Sequence, residues 1–251
     1  MTESDLPDLK PGVVITGADL SAADFAERDL SEAVLTGCQF NDVQFSAAIF
    51  EGGRFTNCRF VRCRLAHADL RDTVFERCSF ADPDSHSGVH IAFSQADGAA
   101  FKTCDLSFAD VDRTSLYAVA FETCNLRGAR FHRADFSRAF GAKVVRTAAS
   151  FAGCNLELAD LSDAQVSKCD FSGVSFREAD LTGANFEGAD LTRCDLFQAL
   201  TAGANLKDAD LRGAHVSGLN LAGLAGYEGL KIALDQQQAL LTALGLDVHA
   251  E

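Results

Sequence analysis

The sequence predicts an all-β chain wound into a square-cornered solenoid, with a short helix after the last coil. Three observations predict it. Apolar residues recur at every fifth position over most of the chain. A small residue stands two places before them, as Ala179, Ala184, Ala189 and Cys194 precede Leu181, Phe186, Leu191 and Leu196. A period of five also fits neither an α-helix, which repeats at about 3.6, nor a flat strand, which alternates.

The five-residue beat is close to unbroken. From Ile15 to Phe80 all 14 beat positions are Leu, Ile or Phe. From Ile91 to Leu221 there are 27 more, and only Ala96, Gly141, Arg146 and Thr201 among them are not Leu, Ile, Val or Phe. Sixteen of the 20 Phe lie on the beat, so the aromatic content is spent on one lining. The physical solution gives each five-residue unit one side of a coil, with four sides to the coil. The beat residue fills the axis and the small residue sits near the corner, while the positions between face water. Coils then stack at about 4.8 Å, and each satisfies the backbone groups of the next. About 41 units make about ten coils and a rod of about 50 Å. At 47% hydrophobic, the chain can fill such a core.

The units "ADLSAADF", "ADLSDAQV" and "ANLKDADL" resemble the pentapeptide-repeat family, whose pattern is A-(D/N)-L-x-x. The resemblance covers about residues 11–221 and implies a right-handed quadrilateral parallel β-helix. The expected organisation is a lead-in and cap over 1–14, the β-helix over 15–221 and a capping or dimerisation segment over 222–251.

All nine cysteines keep the beat, each two places before a beat residue, and Cys38, Cys58 and Cys78 are spaced to stack on one face. Zinc would need clustered C-x-x-C spacing, which is absent, so they read as small buried thiols in place of Ala. Free buried thiols agree with a reducing compartment. The N-terminus lacks a secretory pattern and no apolar run approaches the about 18 residues of a membrane span. The expectation is a cytoplasmic protein.

Repeat proteins place function where the repeat departs from itself. The first departure is "ADPDSHSGVH", 81–90, where the step from Phe80 to Ile91 is one residue more than two units. Pro83, Gly88 and its Asp and Ser residues mark a surface loop. The second is "SRAFGAKVVRTAAS", 137–150, where the beat falls on Gly141 and Arg146. The expectation there is a bulging loop or a distorted coil side. With Arg127, Arg130, Arg133, Arg138, Lys143 and Arg146 it makes a local basic patch, or else ordinary exposed arginine on coil faces. Thr201 marks a milder fault.

The tail, "LDQQQALLTALG", reads as a helix with Asp235 as N-cap and Gly245 just past its end. "LDVHA" is expected to follow as an extended strand. The tail can cover the open end of the solenoid. Its excess of apolar residues also favours a two-fold dimer contact through Leu240, Leu241, Leu244 and Leu246.

Two breaks and a helical tail resemble the Qnr-type quinolone-resistance proteins within the family. The likeness rests on the loop followed by "FKTCDLSFAD", the 15-residue step from Phe136 to Phe151, and "QQQALLTALGLDV". It implies a dimeric rod that binds type II DNA topoisomerases, DNA gyrase or topoisomerase IV, and protects them from quinolones. It also implies that the loops meet the partner, through Asp82, Pro83, Asp84, Ser85, His86 and Ser87 in the first and Phe140, Lys143 and Arg146 in the second. The chain departs from that pattern in having about two extra coils before the first loop and a second loop poor in aromatic residues.

Net charge is −14, which argues against direct nucleic-acid binding. Thirteen units carry Asp just before the beat residue, and Asp170, Asp190 and Asp210 should line one face. Duplex DNA carries one charge per about 1.7 Å, so an acidic rod can imitate it to a protein that expects DNA. The Qnr-type resemblance points the same way. Such Asp residues can also serve the turn backbone by local hydrogen bonds. No catalytic site, cofactor or metal is expected: the six His have no metal spacing, there is no G-x-S-x-G and no P-loop, and paired acids single out no couple. A scaffold β-helix with an unrelated protein partner is the alternative reading.

Overall fold

The five-residue unit sets the strand length. Each side spends its middle on a short strand and its ends on corners, so most strands are three residues long. The computed structural model describes residues 8–82, 84–141 and 144–249. Val14–Thr16 pairs in parallel and in register with Val34–Thr36, and the ladder climbs through Arg54–Thr56, Val74–Glu76, Ala100–Lys102 and Val119–Glu122 to Ala149–Ser150. Single bridges carry it on through Asp170, Asp190 and Asp210. Ile15, Leu35, Phe55, Phe75, Phe101, Phe121, Phe151, Phe171, Leu191 and Leu211 therefore form one column, one residue per coil. Three more columns complete the square, and the fold is the expected quadrilateral parallel β-helix.

The lining is almost dry. Beat residues such as Phe55, Phe75, Phe171 and Phe186 are at most 2% exposed. Consecutive rings in one column lie parallel, as Phe75 on Phe101 at 4.9 Å and Phe151 on Phe171 at 4.9 Å. Each offset stack adds about 0.5–1.5 kcal/mol to the area it buries. Corners close by bonds from residue i+3 to residue i, as Ala33 N–H to Leu30 O at 3.1 Å. The residue before the donor then takes positive φ, 58° at Glu32 and 57° at Asp208, as a type II turn requires. The fold thus places many non-glycine residues in the left-handed region and exposes their side chains along the four edges.

The cysteine corner works differently. Cys38, Cys58, Cys78, Cys104, Cys124 and Cys154 stack in a single column, all buried with free thiols. The Cys78 thiol donates to Phe55 O at 3.4 Å and accepts the Cys58 N–H at 3.4 Å. Cys124 repeats this with Phe101 O and the Cys104 N–H. These thiols bond the corner backbone as well as filling space.

The two breaks are insertions into single sides. Leu65 pairs with Ile91 and Phe75 with Phe101, so the first adds six residues to one side. This corrects the reading of two units plus one, because no second unit is formed. Ala120 pairs with Ser150, so the second adds ten residues between Phe136 and Phe151. Both insertions fold as antiparallel hairpins. They leave the rod on opposite sides, the first between the Phe80 and Ile91 columns and the second between the Phe136 and Phe151 columns. Thr201 keeps its corner bond, accepting from Ala204 at 3.1 Å, so the coil continues past it.

The tail closes the C-terminal end. A 3-10 turn over Leu234–Gln236 leads into the helix Gln237–Ala243. Asp235 lies inside that turn and is not the N-cap. The helix begins later because Gln236 is drawn inward: its side-chain amide donates to Leu211 O and Ala214 O, both at 2.7 Å, and its carbonyl accepts Ala233 N–H. Ala214 O is thus satisfied where the next coil would have been, and Leu211 O, which already accepts the Ala214 N–H, gains a second donor. Gly245, at φ 80°, ends the helix as expected. Leu246–His249 form no ladder, so the expected final strand is absent from the described part of that segment. Among the described residues no helix is long and apolar enough to cross a membrane.

Candidate partner-binding surfaces

The first hairpin joins Ala81–Asp82 to Ser87–Gly88. Its base is fixed by charge. Asp82 is 4% exposed and takes a hydrogen bond from Arg62 at 3.1 Å, while Arg62 also pairs with Asp42 at 2.7 Å. Ser85 Oγ donates to Asp82 at 2.8 Å and the Asp84 amide at 3.1 Å. The Ser85 bond above all, with the Asp84 amide and Arg62, holds the Asp82 carboxyl below the ordinary value despite its burial. Asp82 therefore shapes the hairpin, and Asp84, Ser85 and His86 present its exposed edge, with Ser87 half-buried. The hairpin lies along the next coil, where the His86 ring meets Phe108 edge-on at 6.1 Å. Pro83, expected here as a contact, lies outside the described residues.

The second hairpin pairs Ser137–Ala139 with Val145–Thr147 and sets Arg138 directly opposite Arg146. Facing like charges destabilise a two-stranded pair. Each finds another partner: Arg138 lies over the Tyr117 ring at 5.5 Å and reaches Asp97 at 3.8 Å, and Arg146 lies over Phe140 of the hairpin itself at 5.5 Å. Tyr117 and Phe140 meet edge-on at 5.8 Å, which leans the hairpin along the rod. Phe140, Val144 and Val145 are exposed, so the tip is apolar with a basic flank. Lys143 lies outside the described residues. The beat positions Gly141 and Arg146 are exposed because the hairpin lifts them off the axis.

Asp170, Asp190 and Asp210 stand in register on one face. Each takes the amide two residues on, from Ser172 and Thr192 at 2.9 Å and Arg212 at 3.1 Å. The local role is thus met by one oxygen, and the second oxygen of Asp170 accepts from Ser150 Oγ at 3.4 Å. Asp210 is also clamped by the Arg212 guanidinium, which lowers its proton affinity and cancels its charge. Asp160 and Asp180 repeat the pattern on the opposite face. The C-terminal half therefore carries carboxylates on two opposed sides.

Of the four tail leucines, Leu240 is 3% exposed and packs in the solenoid core. Leu241, Leu244 and Leu246 face water, along with Leu234 and Val248. Among the described residues no cluster of His, Cys, Asp and Glu could hold a metal.

Phe93, Phe108, Phe140 and Phe197 are the Phe residues off the beat, and the sequence reading marks only Phe140, through its loop; Phe93, Phe108 and Phe197 escape it. Each pairs with Arg or His in the structure, as Phe197 with Arg177 at 4.5 Å. Their departure from the beat was the signal that could have found them.

The sequence matches the family described as pentapeptide repeats, in 8 copies over residues 15–52, 58–84, 104–140, 147–177, 159–198 and 189–223. No curated protein matches it. Among solved structures, the full-length form of QnrB1, a plasmid-mediated fluoroquinolone resistance protein, is similar at 25% identity and TM-score 0.69, over 94% of this chain and 98% of that one. A trypsin-treated variant of QnrB1 is 23% identical with TM-score 0.67, over 95% of this chain and 100% of that one.

Proposed function

Because the chain belongs to the pentapeptide repeat family, and its likeness to QnrB1 runs almost end to end, we propose that it binds type II DNA topoisomerases and protects them from quinolones or similar inhibitors. DNA gyrase and topoisomerase IV are the proposed partners. The observation that carries the reading is the pair of hairpins on an otherwise regular rod, within a chain that spans 98% of full-length QnrB1. A plain spacer needs no such projections. The protein acts by binding and not by catalysis, in the cytoplasm, as a homodimer joined through its tails.

In this reading the acidic half imitates duplex DNA. Rungs about 4.8 Å apart place carboxylates on two opposed faces, at lower density than the phosphates of DNA. A basic groove built for DNA gains from the field without base contacts. The hairpins, rising from residues 81–150, where eight basic and eight acidic residues cancel, then reach the enzyme beyond that groove.

The test is gyrase supercoiling in the presence of a fluoroquinolone, with purified protein added over a wide concentration range. Restored supercoiling, reduced on deleting 82–88 or 138–146, is the expected result. No relief at any concentration rejects the proposal and favours a scaffold with an unrelated partner.

A further inference from the structure

Phe93 is a large apolar side chain that the fold does not use. It sits at a corner with φ 53° and is 45% exposed. The corner demands the left-handed conformation but does not demand an aromatic, and a bulky residue there carries a strain cost. Its neighbours on the same edge are His67 one coil before and Arg113 one coil after. The His67 ring stacks on Phe93 at 5.3 Å and 15°, and the Arg113 guanidinium covers its other side at 5.2 Å. Arg133 follows on the next coil, since Asp112 pairs with His132. The result is an exposed ridge of imidazole, phenyl and two guanidinium groups.

The adjoining face adds two arginines and two carboxylates, so the surplus positive charge comes from Arg113 and Arg133 on the ridge. Arg64, His90, Asp110 and Arg130 stand in one register column across it, with Asp112 and His132 in the column beside them. Asp110 is occupied by His90 at 3.2 Å and Arg130 at 3.4 Å. Among the described residues Arg64, Arg113 and Arg133 have no acidic partner within salt-bridge distance, and all three are exposed. The first hairpin borders this face on its far side and sets His86 beside it. A positive, aromatic surface thus stands in the middle of a molecule of net charge −14.

We infer that this ridge and face form a second docking surface, which takes an acidic segment of a protein partner carrying an apolar side chain for Phe93. Charge complementarity sets the sign of the partner. Length decides its class. The surface spans four coils, about 14 Å along the axis. Beyond Arg130 the same column turns to Asp160 and Asp180, and the ridge reaches Glu27 two coils before His67. A duplex laid along the rod would run its phosphates over those carboxylates, whereas a short acidic peptide ends before them. The exposed Phe93 also answers an apolar side chain and not a phosphate.

The test is fluorescence anisotropy with the full-length chain and two labelled probes: a short peptide of Glu and Asp around a single Phe, and a DNA duplex. The expected result is salt-sensitive binding of the peptide. Binding should weaken about tenfold or more in the triple variant Arg64→Glu, Arg113→Glu, Arg133→Glu, weaken in Phe93→Ser, and stay unchanged in Arg193→Glu, an exposed corner arginine elsewhere. Phe93→Ser removes no core contact, and circular dichroism of each variant reports its fold. Failure of the wild type to bind the peptide, equal binding by the triple variant, or tighter binding of the duplex overturns the inference. The assay contains no topoisomerase, so its outcome is separate from that of the supercoiling test.

Discussion

Arg62 donates to the buried carboxylate of Asp82 across 3.1 Å and so ties the first hairpin to the coil beneath it. Its other contact, with Asp42 at 2.7 Å, spreads one guanidinium over three successive coils. Removing it leaves Asp82 buried with only Ser85 and the Asp84 amide as partners. Arg62→Ala is therefore expected to loosen the hairpin without melting the rod, because no lining residue is touched. Limited proteolysis should cut within 82–88 faster in the variant, while the thermal transition keeps its cooperativity.

The same carboxylate predicts a pH dependence. The Asp82 pKa is lowered in the folded chain, so its contribution is complete above the ordinary value of 3.8 and is lost as pH falls through the lower folded value. The hairpin should hold at pH values where an ordinary carboxylate is already half protonated, and loosen only in stronger acid. Amide chemical shifts of Asp84 and Val89 followed by titration will report it. In Asp82→Asn that acid step should vanish.

Gly88 gives a way to lift the hairpin without changing charge. A Cβ there would lie 2.4 Å from the Ala109 nitrogen, 2.5 Å from the Phe108 carbonyl carbon and 2.6 Å from the Ser107 oxygen. All three are backbone and cannot step aside. Gly88→Ala should keep the melting temperature close to wild type, since the core columns pass beneath the hairpin, and should lose the His86–Phe108 contact. Under the proposed function the variant protects gyrase less well, and full protection by it would show that the seated position of the hairpin is irrelevant.

The lining was legible in the sequence because a coil side of fixed length repeats its chemistry at a fixed spacing. Phe171 and Phe176 are fully buried, as their place on the beat requires. The hairpins were legible only as faults. Residue spacing marks where the chain leaves the axis but not how the inserted residues pair, so an eleven-residue step reads as two units and one where the structure has one unit and six added residues. Gln236 was invisible for a different reason. It is one of three consecutive Gln residues, and only the position of the last coil's carbonyls, Ala214 O above all, selects it for burial. Arg212 escaped in the same way, because its clamp on Asp210 depends on a side-chain direction the period does not encode.

The thiol column makes a prediction that the reading of cysteine as a small filler does not. Cys78→Ala keeps the volume small but leaves the Cys58 N–H buried and unpartnered, at a cost of about 1–3 kcal/mol. Cys78→Ser keeps a donor and an acceptor in place. Nature uses that solution at another corner, where Ser94 Oγ accepts the Ala68 N–H at 3.0 Å and donates to Leu65 O. Chemical denaturation should therefore rank Ser above Ala at position 78. Equal stability would mean that the thiol contributes packing alone.

The tail leucines should separate by direction. Leu240 points into the solenoid, so Leu240→Ala is expected to cost about 2 kcal/mol, the low end for a buried leucine because a chain end can relax. Leu241, Leu244 and Leu246 touch water and contribute little to the fold of one chain. Replacing Leu241 and Leu244 with Asp leaves the melting temperature of the rod unchanged but places two charges in the proposed contact between tails. Light scattering should then give half the wild-type mass. If wild type and variant share one mass, the exposed leucines do not join two copies, and a dimer, if one forms, uses another surface.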